Sequence, residues 1–216
     1  MKKALIVHGG WNGHEPKQTA ELFGSILEKE GFAVTIMNKL KVFAKLDLKG
    51  FDLIIPIWTN GEISGKECRA VMAAVESGVG LAGCHGGMCD AFHDNVDWQF
   101  MTGAQWVAHP GGEIDYTVNI LPTGSPLTEG IKDFKVKSEQ YYIHVDPANK
   151  VLATTRFPVA DGPHAANGEV DVPVAYTRLW GKGRIYYNSL GHVTAVFKNS
   201  PEATEMMKRG LLWAAR

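Results

Sequence analysis

The N-terminal part of the chain alternates short, almost wholly apolar segments with segments whose apolar residues recur at helical spacing. The apolar segments occupy residues 4–7, 33–37, 51–57 and 79–83. Strands that are apolar on both faces are typical of parallel sheets, because helices cover such sheets on both sides. The alternation therefore predicts an α/β fold whose central sheet lies between two helical layers.

The helices between these segments carry recognisable start and stop signals. Residues 17–30 place apolar side chains at helical spacing before Gly31, and Ser64 with Glu67 forms the S-x-x-E pattern of a capping box. Near the end of the sequence, Ser200 precedes a proline and an acidic residue, which is typical of a helix start. Each signal predicts one helix.

The second half of the chain has a different pattern, because several predicted strands alternate in polarity as antiparallel or edge strands do. These strands cover residues 113–121, 135–138, 151–157, 172–180 and 184–189. The predicted fold is a flavodoxin-like three-layer sandwich with a mostly parallel central sheet and antiparallel additions. Since no linker or low-complexity tract interrupts the 216 residues, we expect a single domain over residues 1–216.

Charge and composition argue against several classes of partner. Lys and Arg number 22 against 23 Asp and Glu, without the basic stripe of a nucleic-acid-binding protein. No apolar stretch reaches the roughly 18–20 residues that span a bilayer, so we expect no membrane association. The three cysteines lack C-x-x-C spacing, which favours reduced thiols and a cytoplasmic protein.

Polar residues follow three of the predicted strands at the point where each strand ends. They lie at residues 8–15, 58–62 and 84–87. Because the carboxyl ends of parallel strands meet at the same edge of a sheet, we expect these polar groups to converge on one ligand site.

The turn after the fourth predicted strand resembles a nucleophile elbow, in which small residues flank an exposed reactive side chain. The frame 83–87 places His85 at the tip between two glycines, whereas the frame 82–86 places Cys84 there. We favour His85, with Cys84 packed away from the site. A position at a helix N-terminus would lower the pKa of the His85 imidazole.

Histidines recur at probable loop positions in the sequence. Five of the eight histidines lie beside Gly, Pro or acidic residues: His14, His85, His93, His109 and His192. The sequence has no H-E-x-x-H or C-x-x-C pair, so no strong zinc signature is present. The residues alone favour a metal-free acid–base site of histidine and glutamate, with metal binding as the alternative.

Motifs spread along the whole chain, from residue 3 to residue 215, carry a family resemblance. They are the glycine-rich loop that ends in Gly13-His14, the Gly83-x-His85 turn, the segment MTGAQWVAHP at 101–110, Glu139-Gln140-Tyr141, PVAY at 173–176, GKGRIYY at 181–187 and Leu190-Gly191-His192. In these motifs the chain resembles the ThuA-like (trehalose utilisation) proteins, whose fold is like that of class I glutamine amidotransferases.

The resemblance implies a cytoplasmic role in carbohydrate catabolism, with a keto-sugar or keto-glycoside as the substrate class. It also implies functional pairing with an NAD-dependent sugar dehydrogenase, and a histidine at the amidotransferase nucleophile position, as in the frame 83–87. Cys84, directly before that histidine, departs from the family pattern and keeps a cysteine-hydrolase alternative open.

The favoured interpretation is an enzyme that eliminates, isomerises or hydrolyses a sugar derivative. Its catalytic residues are predicted to be His85 and His109 for proton transfer, Glu139 as base or orienting group, and His192 as a polar contact. The predicted substrate-binding residues are His14, Trp11, Trp58, Asn60 and Tyr141. If a divalent metal such as zinc takes part, its predicted ligands are His14, His85 and His109.

Two other functions stay open at this point. A cysteine hydrolase or amidotransferase-like enzyme would use Cys84 as nucleophile, and a non-catalytic subunit would only bind a sugar. The sequence also leaves open whether the chain forms a homo-oligomer.

Overall fold

The computed structural model describes all 216 residues, which form eleven strands and six α-helices. The strands are β1 (Lys3–Gly10), β2 (Ala33–Met37), β3 (Leu53–Thr59), β4 (Gly80–Cys84), β5 (Ala104–Ala108), β6 (Glu113–Ile120), β7 (Phe134–Glu139), β8 (Tyr142–Val145), β9 (Lys150–Phe157), β10 (Val170–Trp180) and β11 (Gly183–Asn188). The helices are α1 (Pro16–Lys29), α2 (Gly65–Glu76), α3 (Gly86–Cys89), α4 (Val96–Thr102), α5 (Thr194–Asn199) and α6 (Pro201–Ala214).

Nine strands form one sheet in the order β2-β1-β3-β4-β11-β10-β9-β6-β7. The first five are parallel, in the order that a flavodoxin-like fold gives its strands. The remaining pairings, from β11 to β7, are antiparallel. The predicted α/β fold with a parallel sheet and antiparallel additions is therefore confirmed.

Two hydrophobic cores lie on the two faces of the sheet. On one face, α1 contributes Phe23 and Leu27 and α6 contributes Met207 and Leu211. On the other face, α2 contributes side chains that include Val71. The central strands serve both cores because successive residues point to opposite faces, and this explains why they are apolar throughout.

The predicted helix caps are present in the structure. Ser64 Oγ accepts a hydrogen bond from the Glu67 N–H, and the Glu67 carboxylate accepts one from the Ser64 N–H, so α2 begins with a complete capping box. Ser200 Oγ accepts from the Ala203 N–H at 3.2 Å and caps α6. Both caps satisfy backbone donors that a helix start leaves free.

Four elements were not predicted from the sequence: α4, α5, β5 and β8. Strands β5 and β8 have five and four residues and pair only with each other. Such short segments carry too few apolar repeats for a periodic signal. No helix in the structure is both long and apolar enough to span a bilayer.

Candidate functional site

The turn between β4 and α3 places His85 at the carboxyl edge of the parallel strands. His85 has a φ of +49°, which is unusual for a residue with a side chain and marks a strained turn. The next residue must be small, because a Cβ at Gly86 would lie 2.5 Å from Thr59 Oγ1 and 2.7 Å from His14 Nδ1. The glycine therefore lets β1, β3 and β4 bring their loops into contact.

Cys84 and His85 have different surroundings. Cys84 is 3% exposed and belongs to the hydrophobic core on the α1 and α6 face. Burial raises the pKa of its thiol to about 12. His85 Nε2 instead lies 3.0 Å from the carboxylate of Glu139. The structure thus places His85, and not Cys84, among the polar side chains.

Glu139, at the end of β7, is the centre of a cluster of imidazoles. Its Oε2 atom lies 3.0 Å from His85 Nε2, 3.2 Å from His192 Nδ1 and 3.5 Å from His14 Nε2. Its other oxygen, Oε1, lies 3.7 Å from His109 Nε2. Glu139 is 7% exposed, so the carboxylate is held inside the protein by histidines from four segments of the chain.

Each of the three histidines around Oε2 has its second ring nitrogen beside another oxygen. The contacts are His85 Nδ1 to the Ser189 carbonyl at 2.8 Å, His14 Nδ1 to Thr59 Oγ1 at 2.8 Å, and His192 Nε2 to Glu113 Oε1 at 3.4 Å. These contacts fix the orientation of the rings, so that one nitrogen of each ring faces Glu139.

Burial and hydrogen bonding shift the pKa values in this cluster. Burial acts to raise the pKa of Glu139, but its interactions with His14, His192 and His85 outweigh burial and hold the carboxyl pKa well below its usual range. Burial lowers the pKa of His85 to about 4, so burial and not the four-residue helix α3 is the main cause of the predicted shift. The nearby Glu139 carboxylate raises the pKa of His192.

Aromatic side chains surround the cluster. Tyr141 stacks on His85 with ring centroids 3.9 Å apart, and Trp11 meets His14 edge-on at 4.7 Å. Trp106 lies 5.5 Å from His109 between ring centroids. The buried Trp106 Nε1 and Tyr141 Oη have no hydrogen-bond partner. The site therefore combines apolar ring faces with free hydrogen-bonding groups.

The structure brings together most of the residues singled out in the sequence. His14, His85, His109, Glu139 and His192 form the cluster, with Tyr141 and Trp11 against it.

Two predicted substrate-binding residues lie apart from this cluster. Trp58 lines a separate cavity with Lys39 and Lys41, and the exposed Asn60 uses its backbone N–H to bond the Asp90 carbonyl. As expected, Trp58 lies near the end of β3 and Asn60 follows that strand. However, sequence position did not reveal that the Trp58 ring faces this other cavity.

Glu113 and the contact between Asp90 and His93 were not predicted from the sequence. His93 Nε2 lies 2.5 Å from Asp90 Oδ1, and the His93 ring stacks near Trp106 at 5.9 Å. Burial raises the pKa of Asp90. The spacing Asp-x-x-His directly after the elbow was an available signal for this pair, whereas nothing in the sequence marks Glu113.

A family model described as ThuA, trehalose utilisation, matches residues 3–214. The chain belongs to the ThuA family. No curated protein matches the chain significantly. Solved structures match its fold, among them a ThuA-like protein from Parabacteroides merdae, with a TM-score of 0.79, 18% identity, and coverage of 99% of this chain and 89% of that one.

Two further structures extend the comparison. A ThuA-like protein from Bacteroides uniformis has a TM-score of 0.78 and 17% identity, covering 99% of this chain and 91% of that one. A β-galactosidase from Rahnella sp. R3 contains a similar fold, with a TM-score of 0.64 and 18% identity, covering 99% of this chain but 30% of the enzyme. At these identities the structures establish the fold. Membership of the ThuA family supports a role in carbohydrate metabolism.

Proposed function

We propose that this ThuA family member is a cytoplasmic enzyme of carbohydrate catabolism that moves a proton on a keto-sugar or keto-glycoside. The observation that carries the proposal is the contact of His109 with Glu139. The His109 side chain is 37% exposed, whereas the carboxylate and the other three imidazoles of the cluster are largely buried. His109 can therefore meet a substrate while its ring stays next to a buried carboxylate.

The chemistry needs a base and a stabiliser of negative charge. A carbonyl makes the hydrogen on the neighbouring carbon acidic, because the electron pair left behind delocalises onto the carbonyl oxygen as an enolate. His109 Nε2 takes this proton, and Glu139 stabilises the imidazolium that results. The enolate then has two routes. In cleavage it expels the glycosidic oxygen from the adjacent carbon, and the His109 imidazolium returns its proton to that oxygen as the alcohol leaves. In isomerisation the enolate oxygen gains a proton, the hydroxyl on the deprotonated carbon loses one, and the former carbonyl carbon takes the proton from His109.

The surroundings of His109 suit a sugar ring. Trp11 is 51% exposed and offers an aromatic face at the rim. Trp106 and Tyr141 lie beside His109, and each carries a buried polar atom without a partner in the protein. When a bound sugar displaces the side chains that cover these atoms, its hydroxyls can supply the missing hydrogen bonds, which would favour a sugar over a purely apolar ligand.

The proposed substrate class implies the reaction that precedes this one. A keto-sugar forms when a sugar hydroxyl is oxidised to a ketone, and an NAD-dependent sugar dehydrogenase performs that oxidation with hydride transfer to NAD. We propose this dehydrogenase as the functional partner. The three buried free cysteines suit a reducing compartment such as the cytoplasm.

Solvent deuterium exchange tests the proposal directly. A keto-glycoside, prepared with a sugar dehydrogenase, is incubated with the protein in D₂O, and NMR follows the hydrogen on the carbon beside the carbonyl. We expect the protein to accelerate its exchange or loss. His109→Gln should slow the reaction by about 100-fold or more, the usual scale for an acid–base group. His144→Gln, an exposed histidine on β8, is the control that should not.

Two outcomes would overturn the proposal. Tight binding of the keto-glycoside without exchange or cleavage would indicate a sugar-binding subunit instead. Equal rates for His109→Gln and wild type would show that His109 does not transfer the proton.

A further inference from the structure

We propose that His14, His85, His192 and Glu139 form a binding site for one divalent transition-metal ion, with zinc as the best probe. The four side chains offer His14 Nε2, His85 Nε2, His192 Nδ1 and Glu139 Oε2. One ligand atom from each lies within 4.8 Å of the others. The inference follows from these four side chains alone and does not depend on which sugar the protein handles.

The distances from Glu139 Oε2 to the three histidine nitrogens are close to those between ligands of one metal ion. Bonds of about 2.0–2.2 Å from zinc to imidazole nitrogen and carboxylate oxygen place neighbouring ligands of a tetrahedron about 3.3–3.6 Å apart. The three nitrogens lie 3.0, 3.2 and 3.5 Å from Glu139 Oε2. A small shift of the side chains would admit an ion among them.

The outer contacts of the histidines provide independent support. A histidine that binds a metal commonly donates its other ring N–H to a carbonyl, a carboxylate or another oxygen. All three rings have such an oxygen: the Ser189 carbonyl, Thr59 Oγ1 and Glu113 Oε1. With the hydrogens on these outer nitrogens, the inner nitrogens present lone pairs toward the centre of the cluster.

The lone pairs of His85 and His192 that face the Glu139 carboxylate repel it, and a bound cation would remove this repulsion. The Ser189 carbonyl can only accept, so the hydrogen of a neutral His85 lies on Nδ1 and its Nε2 lone pair faces the Glu139 carboxylate at 3.0 Å. His192 Nδ1 is buried and has no hydrogen-bond partner, although it lies 3.2 Å from the same oxygen. A metal ion would accept both lone pairs and bind Glu139 Oε2, which leaves Oε1 beside His109.

This set of ligands differs from the set predicted from the sequence. His109 Nε2 lies beside the other carboxylate oxygen, Oε1, at 3.7 Å, and is outside the group of converging ligand atoms. His192 and Glu139 take its place. His109 consequently stays free to exchange protons with a substrate.

Metal binding to the chelator-treated full chain tests the site without any substrate. The protein is titrated with Zn²⁺ in a calorimeter, and metal content is measured after desalting. We expect one zinc per chain. His192→Gln should lower the affinity more than about 100-fold, because even outer contacts of metal ligands are worth 10- to 100-fold. Glu139→Gln should have a similar effect, whereas His109→Gln and His144→Gln should bind zinc like the wild type.

Thermal unfolding controls for variants that fold poorly. Zinc at 100 times its dissociation constant should raise the melting temperature of the wild type and of His109→Gln by about 5–10 °C. The melting temperature of His192→Gln should not respond, while its circular dichroism without metal should equal that of the wild type.

Three results would overturn the metal site: no stoichiometric zinc in the wild type, equal affinity for His192→Gln and His144→Gln, or loss of binding in His109→Gln. Deuterium exchange that fails while zinc still binds would instead overturn only the proposed function.

Discussion

Glu139 Oε2 lies 3.0 Å from His85 Nε2, although four strands separate β7 from β4 in the sheet. In a flat sheet these two strands would be about 24 Å apart, since neighbouring strands are spaced about 4.8 Å. The contact is made because β6 pairs with β9 only at Asn119 and Ile120, while the rest of β6 stays paired with β7. The β6–β7 hairpin therefore leaves the plane of the sheet and reaches the carboxyl edge of the parallel strands.

The same hairpin explains how two glutamates approach His192. Glu113 and Glu139 are opposite each other in the register of β6 and β7, where like charges repel. His192 lies near both, with Nε2 3.4 Å from Glu113 and Nδ1 3.2 Å from Glu139. The loop after β11 thus fixes the hairpin over the site, and the site requires both halves of the sheet to be folded.

Gly86→Ala should damage the site and the fold together. The added methyl would lie 2.5 Å from Thr59 Oγ1 and 2.7 Å from His14 Nδ1, so the β1 and β3 loops must move. We expect a loss of about 1–3 kcal/mol in the free energy of unfolding, measured by urea denaturation. Gly50→Ala is the control, since its Cβ would meet Asp47 only at 3.5 Å. Equal stability of the two variants would contradict the close approach at Gly86.

Loss of a helix cap should lower the free energy of unfolding without affecting the site, because neither cap is part of it. Ser64→Ala removes the acceptor for the Glu67 N–H, and Ser200→Ala removes the acceptor for the Ala203 N–H. Each should cost about 0.5–2 kcal/mol in urea denaturation, without a change in zinc affinity. Ser25→Ala, at an exposed position inside α1, should be neutral or slightly stabilising. A similar cost at Ser25 would show that the loss does not come from the caps.

The parallel half of the fold was predictable because its signals are local. Residues 4–7 are fully buried on both faces of β1. A strand that is buried on both faces is apolar at every position, so the sequence shows it as an uninterrupted apolar run. The caps at Ser64 and Ser200 involve residues three positions apart, so their pattern is also visible in the sequence.

The site was predictable only where loops follow parallel strands or where the family resemblance supplied a residue. His14 and His85 follow β1 and β4, and the rule for parallel sheets places them together. Glu113 could not be found in this way, because its place depends on how far the β6–β7 hairpin leaves the sheet. That bend depends on long-range packing, which leaves no periodic pattern in the chain.

The Cys84 thiol should be unreactive in the folded protein. With a pKa of about 12 caused by burial, about one thiol in ten thousand is ionised at pH 8, and the sulfur is packed in the core. Iodoacetamide at pH 8 should leave Cys84 unlabelled until the protein is denatured, as mass spectrometry of tryptic peptides can measure. Cys84→Ala should also keep its zinc affinity and its catalytic rate. Fast stoichiometric labelling of native Cys84 would instead support a cysteine hydrolase.

Glu113→Gln should weaken zinc binding without removing a ligand. Glu113 Oε1 lies 3.4 Å from His192 Nε2, on the side of the ring away from Glu139. A carboxylate there orients the imidazole and increases its basicity at the inner nitrogen, and an amide does this less well. We expect calorimetry to show zinc affinity lowered by about 10- to 100-fold, with one zinc still bound per chain. Glu129→Gln, an exposed glutamate elsewhere on the surface, should match the wild type. An unchanged affinity in Glu113→Gln would mean that Glu113 does not position His192, whereas complete loss of zinc would make Glu113 itself a ligand.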